Sequence, residues 1–147
     1  MFKQRIFLAA GIAIALFLDL FTKRLAEKYF AEPFEIFPFL SFELSHNRAL
    51  AFGIPFPLPL TILLSVSAVA ILGWLFVKNL RKDSKIGLIS LTLLLGGALG
   101  NLLERILTSQ VTDFIALFFI PNFNLADTFL TFGVIILILG SKKIFKN

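Results

Sequence analysis

Residues 86–105 read IGLISLTLLLGGALGNLLER. The stretch is uncharged until Glu104 and Arg105 close it. About 20 mostly apolar residues are what a helix needs to cross a bilayer core. The surrounding chain has the same character. Of its 147 residues 58% are apolar and 16% charged, and its mean hydropathy is +0.92. An ordinary soluble domain carries roughly 25% charge. Three further apolar stretches lie at 6–21, 58–77 and 125–140, interrupted only by Asp19 and Asp127. The expected fold is therefore an all-α membrane domain over 1–147, with four transmembrane helices at 6–21, 58–77, 86–103 and 125–140. The outer spans are short, and Arg5, Lys23, Lys142 and Lys143 can snorkel to the interface.

Charge placement gives the direction of these spans. Lys3 and Arg5, then Lys78, Arg81, Lys82 and Lys85, then Lys142, Lys143 and Lys146 fall on one side. Lys23, Arg24, Lys28, Arg48 and Arg105 fall on the other. Nine basic residues against five put both termini in the cytoplasm by the positive-inside rule. The net charge of +5 is thus a topology signal and not a nucleic-acid footprint. A signal peptide is a poor reading of the first span, because Asp19 and Lys23 follow the apolar run where a small-residue cleavage site would stand. The absence of Cys excludes disulfides, thiolate metal sites and a thiol nucleophile. With one His as well, no metal or other cofactor is expected.

The outer connections are too apolar to be plain linkers. In residues 24–57, Leu40, Phe42, Leu44 and His46 alternate with Ser41, Glu43, Ser45 and Asn47, a strand period. A small β structure resting on the outer leaflet is expected there. Pro33 and Pro38 break any helix before it. Residues 49–56 lead back to the membrane, with Pro55, Pro57 and Pro59 delaying the second span. The second outer segment, 108–123, is expected to pack at the interface or against the bundle.

Polar residues near membrane spans are the informative ones. Asp19 and Lys23 share a helix face at i, i+4 and can pair. Asn101, Glu104 and Arg105 end the third span, and Gly97 shares their face. Asp113 lies in the following segment; Asn124 precedes Asp127 by three residues at the start of the fourth span. Antiparallel connectivity brings these groups to one depth, the outer end. Gly96, Gly97 and Gly100 read as a packing seam, which leaves Asn101 and Arg105 unexplained. Two close carboxylates in a low dielectric share a proton. Asp113 and Asp127 could then activate water, Asp127 being the more acidic if Asn124 caps its helix. Asp19 reads as structural, neutralised by Lys23, and Glu104 as a surface or pairing residue. His46 reads as a surface histidine, and Tyr29 and Trp74 as interfacial anchors. The competing reading is a small proton-coupled transporter with Asp19, Asp113 and Asp127 as relay carboxylates.

Five motifs in order resemble one family. They are Asp19-Leu20-Phe21-Thr22-Lys23, Asn47-Arg48-Ala49-Leu50-Ala51-Phe52-Gly53, Gly96 through Arg105, Val111-Thr112-Asp113-Phe114, and Phe123-Asn124-Leu125-Ala126-Asp127. The chain resembles the lipoprotein signal peptidases, the type II signal peptidases of bacteria, over nearly its whole length. Ala49 stands where the family usually has Gly, and Glu104 where it usually has Asp. The resemblance implies an aspartic endopeptidase of the cytoplasmic membrane, active at the outer face. Its substrate would be a prolipoprotein with diacylglycerol on the lipobox Cys, cut just before that Cys. Asp113 and Asp127 map onto the catalytic dyad. Asn47, Asn101, Arg105 and Asn124 map onto residues that line the site, and Asp19 and Lys23 onto residues that brace it. The expected partners are prolipoprotein substrates and membrane lipid, with no nucleic acid, and the expected state is a monomer.

Overall fold

A computed structural model describes residues 2–48, 56–82 and 84–144. Residues 49–55, which hold most of the second motif and the return to the membrane, lie outside the described residues. The order of elements is α1 (Phe2–Tyr29), β1 (Phe34–Phe37), β2 (Leu40–Asn47), α2 (Leu58–Lys82), α3 (Lys85–Thr108), β3 (Val111–Leu117), β4 (Ile120–Phe123) and α4 (Leu125–Ile144). Three helical stretches are long and apolar enough to cross a membrane: Ile6–Tyr29, Leu58–Leu80 and Lys85–Thr108. The apolar part of α4, Leu125–Gly140, is shorter.

The central helix is α3. Of its most apolar window 61% is buried, against 22% in α1 and 6% in α2. Between membrane helices, tight packing and hydrogen bonds replace the hydrophobic drive that water would supply. The glycines of α3 provide the packing. A Cβ on Gly96 would sit 2.5 Å from the Ala15 Cβ of α1, and one on Gly97 would sit 2.5 Å from the Ala126 carbonyl oxygen of α4. One on Gly100 would strike the Asp19 carboxylate. Ser90 adds a bond from its hydroxyl to the Gly133 carbonyl on α4, at 2.7 Å. Large apolar side chains such as Phe17, Leu63, Trp74 and Leu139 point outward, 61–79% exposed, as residues facing lipid would.

All four helices run beyond the apolar stretches read from the sequence, and two of the extensions lie beside the polar cluster. Helix α1 does not stop at Phe21 but runs to Tyr29, so the first outer connection begins at residue 30 and not 24. The added turns contain Leu25, Ala26, Glu27 and Lys28, good helix formers, and Ala26 is fully buried. Helix α3 likewise continues past residue 103 to Thr108.

The segment 108–123 packs against the bundle through buried Val111–Phe114 and is in addition strand. It forms β3 and β4, which pair with the expected strand to give one antiparallel sheet in the order β1-β2-β3-β4. Its hairpin turns on Phe118-Phe119, with none of the Gly or Asn that mark such turns. Ser109 closes α3 in the left-handed region at φ 62°, its N–H bonded to the Arg105 carbonyl at 2.9 Å. The chain therefore reverses sharply after α3, and β3 begins two residues later. Across the sheet Ser45 faces Asp113 and His46 faces Thr112. Phe30, just beyond α1, stacks on Phe42 and Phe114 with centroids 4.7 and 6.4 Å away, anchoring the sheet over the helix end.

Candidate active site

The N-terminus of α4 carries unpaired backbone N–H groups and the positive end of its dipole. Three side chains answer them. The Asn124 Oδ1 accepts from the Asp127 N–H at 3.0 Å, while the Asp127 Oδ2 accepts from the Asn124 N–H at 3.2 Å. This is a reciprocal capping box. The Asp19 Oδ1 reaches across from α1 and accepts from the Ala126 N–H at 2.8 Å. Asp127 is thereby held in the first turn of α4, half-buried, with its second oxygen toward α3.

That second oxygen, Oδ1, accepts from the Asn101 Nδ2 at 2.8 Å. The Asn101 Oδ1 in turn accepts from the Lys23 ammonium at 2.8 Å and from the Asn124 Nδ2 at 3.2 Å. The same Asn124 Nδ2 donates to the Asp113 Oδ1 at 2.6 Å, and the Asn47 Nδ2 donates to the Asp113 Oδ2 at 3.0 Å. One fully buried asparagine therefore touches both aspartates. Arg105, 5% exposed, donates from Nη1 to the Ser65 hydroxyl of α2 at 3.2 Å, and its charge acts on Asp127, Asp113 and Glu104.

Asp113 is 2% exposed. Burial pushes its carboxyl up to about 6, and the Asp127 charge pushes the same way. The amides of Asn47 and Asn124 and the Lys23 charge work against this by favouring the anion. A carboxyl that holds its proton to higher pH than usual, joined through one amide to a second carboxyl, is suited to giving and taking a proton in turn. Among the described residues no group of three or more His, Cys, Asp or Glu is arranged to hold a metal ion.

All eight residues singled out from the sequence are in this cluster: Asp19, Lys23, Asn47, Asn101, Arg105, Asp113, Asn124 and Asp127. Asp19 pairs with Lys23 at 2.9 Å, as the i, i+4 spacing predicted. Glu104 is a pairing residue and not a surface one: it meets Lys23 at 2.9 Å with its side chain 12% exposed. His46 is exposed but not idle, for its Nε2 lies 2.7 Å from the Glu27 Oε1. Ser65, Glu27 and Thr112 join the cluster as well. Nothing in the local sequence marks Ser65 or Glu27, and Thr112 lies in the motif around Asp113 without a sign of its own contacts; the pairing of β2 with β3 brings Thr112 and His46 together.

The class these observations define is a helical membrane protein with a two-carboxylate centre at one end of the bundle and a sheet beside it. Known proteins agree. The family described as Signal peptidase (SPase) II matches residues 11–143. The lipoprotein signal peptidase of Aquifex aeolicus is 40% identical over 93% of this chain and 87% of that protein. That of Chlorobium luteolum is 35% identical over 91% and 92%. A bacterial membrane enzyme solved by the in meso method at 2.3 Å superposes with a TM-score of 0.81 at 28% identity, covering 92% of this chain and 87% of that one. The chain belongs to the signal peptidase II family, membrane hydrolases of the aspartic endopeptidase type. Membership in a peptidase family leaves the transporter reading without support.

Proposed function

We propose that Asp113 and Asp127 are the catalytic pair of this peptidase and that it cuts prolipoproteins just before a diacylglyceryl-modified Cys. The observation that carries the reading is Asn124, whose amide and backbone bond both carboxylates at 2.6–3.2 Å. The resting pair holds one proton between its two carboxyl groups. Water placed between them loses a proton to the ionised carboxylate of the pair as its oxygen attacks the scissile carbonyl carbon. The proton on the other carboxyl polarises the carbonyl oxygen. In the second half the C–N bond breaks, the amine leaves with a proton returned from the pair, and a carboxylic acid remains on the signal-peptide side. Asn47, Asn101, Arg105 and Asn124 line the site and orient the substrate; Asp19 and Lys23 brace it.

All four helices span the membrane in this reading, with both termini cytoplasmic. Helix α1 is long enough without a snorkelling Lys23, whose ammonium is buried on Asp19, Glu104 and Asn101 and does not reach the interface, and Asp127 marks the outer mouth of α4. The sheet rests on the outer leaflet. A lipid-modified Cys partitions at that same interface, so confinement supplies much of the required proximity. The protein acts as a monomer in the bacterial cytoplasmic membrane and needs no cofactor. Purified protein with a lipid-modified lipobox peptide is the test. Wild type should cleave, while Asp113→Asn and Asp127→Asn should lose at least about a thousandfold, as removal of an acid–base partner implies. Equal cleavage by all three would end the proposal.

A further inference from the structure

The aspartates come from different elements, β3 and α4, and a pair so divided needs a common frame. Glu104 of α3 is tied to both, directly to the residue before Asp113 and through Lys23 and Asn101 to Asp127. Its Oε2 accepts from the Thr112 N–H at 3.1 Å, and its Oε1 accepts from the Thr112 hydroxyl at 2.6 Å. Thr112 immediately precedes Asp113, so this two-pronged grip fixes the backbone that presents Asp113. The same Oε2 pairs with the Lys23 ammonium at 2.9 Å. Lys23 then bonds the Asn101 Oδ1 at 2.8 Å, and the Asn101 amide bonds Asp127 at 2.8 Å. Helix α3 closes on Ser109 in a left-handed conformation, which folds β3 back over Glu104.

We propose that Glu104 is a positioning residue that sets Asp113 and Asp127 relative to each other, gripping Thr112 on one side and Lys23–Asn101 on the other. It touches neither aspartate. The inference rests on the assignment of Asp113 and Asp127 as the catalytic pair. Misplacement by about 1 Å, caused away from the reacting atoms, can cost about a hundredfold. A glutamate is long enough for both grips. The Thr112 hydroxyl also lies 2.9 Å from Glu27 of α1, but one hydroxyl proton serves one acceptor, and the shorter contact is to Glu104.

The experiment compares E104A, E104Q, T112V and the E104A/T112V double variant with wild type, in parallel with D113N and D127N. Cleavage of a lipid-modified lipobox peptide gives kcat and KM separately, and thermal unfolding gives stability. E104A should lower kcat by about ten- to a hundredfold with KM within about threefold. E104Q, whose amide oxygen still accepts from Thr112, should recover most of that loss. T112V should lower kcat less than E104A, and the double variant should be no worse than E104A, because both changes break one grip. Wild-type kcat in E104A overturns the proposal. So does a loss that multiplies with that of T112V, or an E104Q as impaired as E104A and equally destabilised. Active D113N or D127N would instead overturn the assignment of the pair, a result that does not depend on position 104.

Discussion

Asn124→Asp separates two jobs that one side chain performs. Asp caps a helix about as well as Asn, so the bond from residue 124 to the Asp127 N–H at 3.0 Å survives. The donor amide is lost. An oxygen then faces the Asp113 Oδ1 where a nitrogen had stood 2.6 Å away. A hydrogen bond to a charged group contributes about 1.5–3 kcal/mol, and two unit charges 4 Å apart repel by about 4 kcal/mol at an effective dielectric of 20. The site relieves that repulsion by keeping an extra proton, to a pH about three units higher at about 1.4 kcal/mol per unit. At neutral pH the base would then be occupied. Cleavage of a lipid-modified lipobox peptide at pH 7 should fall at least about a hundredfold, and the rising limb of the pH profile should move to higher pH. Thermal stability at low pH should change little. Asn124→Ala is the contrast, since it should also lose about 0.5–2 kcal/mol of capping. An Asn124→Asp variant with wild-type turnover and an unmoved profile would refute the view that the amide holds the aspartates apart and supplied with a donor.

Other consequences are equally direct. Folding raises the Asp113 carboxyl from 3.8 to about 6, so the folded state binds more protons between those values and stability falls as pH rises through them; Asp113→Asn should remove a penalty of roughly 3 kcal/mol at neutral pH, and unfolding midpoints at pH 4 and 7 check this. Gly97→Ala would drive a methyl to 2.5 Å from the Ala126 carbonyl oxygen and should cost about 1–3 kcal/mol, with lost turnover because Asp127 is the next residue; unfolding and cleavage assays measure both. Asp19→Ala removes one of the two carboxylates on the buried Lys23 and the acceptor for the Ala126 N–H, and should destabilise by about 1–3 kcal/mol, read by thermal unfolding. Cleavage should survive a strong chelator, and loss restored by added zinc would contradict the water-only mechanism.

The cluster was legible in the sequence because the membrane makes its residues conspicuous. Asp19, Asn101, Arg105 and Asp127 each interrupt or end an apolar run, and such runs tolerate polar groups only for a reason. Asn124 announced itself as a cap three residues ahead of an acid. Strand β2 showed its period. Strands β3 and β4 did not, because 115–120 is continuously apolar and Phe118-Phe119 turns without turn residues. Buried strands lose the alternation that marks a half-exposed one, and β3 starts with four buried residues, Val111 to Phe114. The end of α1 was hidden by the opposite effect. Charged Arg24, Glu27 and Lys28 look like the start of a loop when apolar length is the criterion, although they are sound helix formers.

The glycine seam and the polar centre are one construction. Without a side chain at 97, the Ala126 carbonyl can lie against α3, which carries the first turn of α4, and Asp127 with it, to within reach of Asn101. Without one at 100, the Asp19 carboxylate fits between α1 and α3, where it caps α4 and receives Lys23. Three helices thus converge because small residues let them, and they stay converged because each buried charge finds a partner there. A buried ion pair is weak evidence for stability by itself, since desolvation offsets most of the attraction. Here the pair does something an apolar contact could not. Lys23 gathers Asp19, Glu104 and Asn101 around one ammonium, so the bonds that join α1 to α3 also orient the amide that Asp127 accepts.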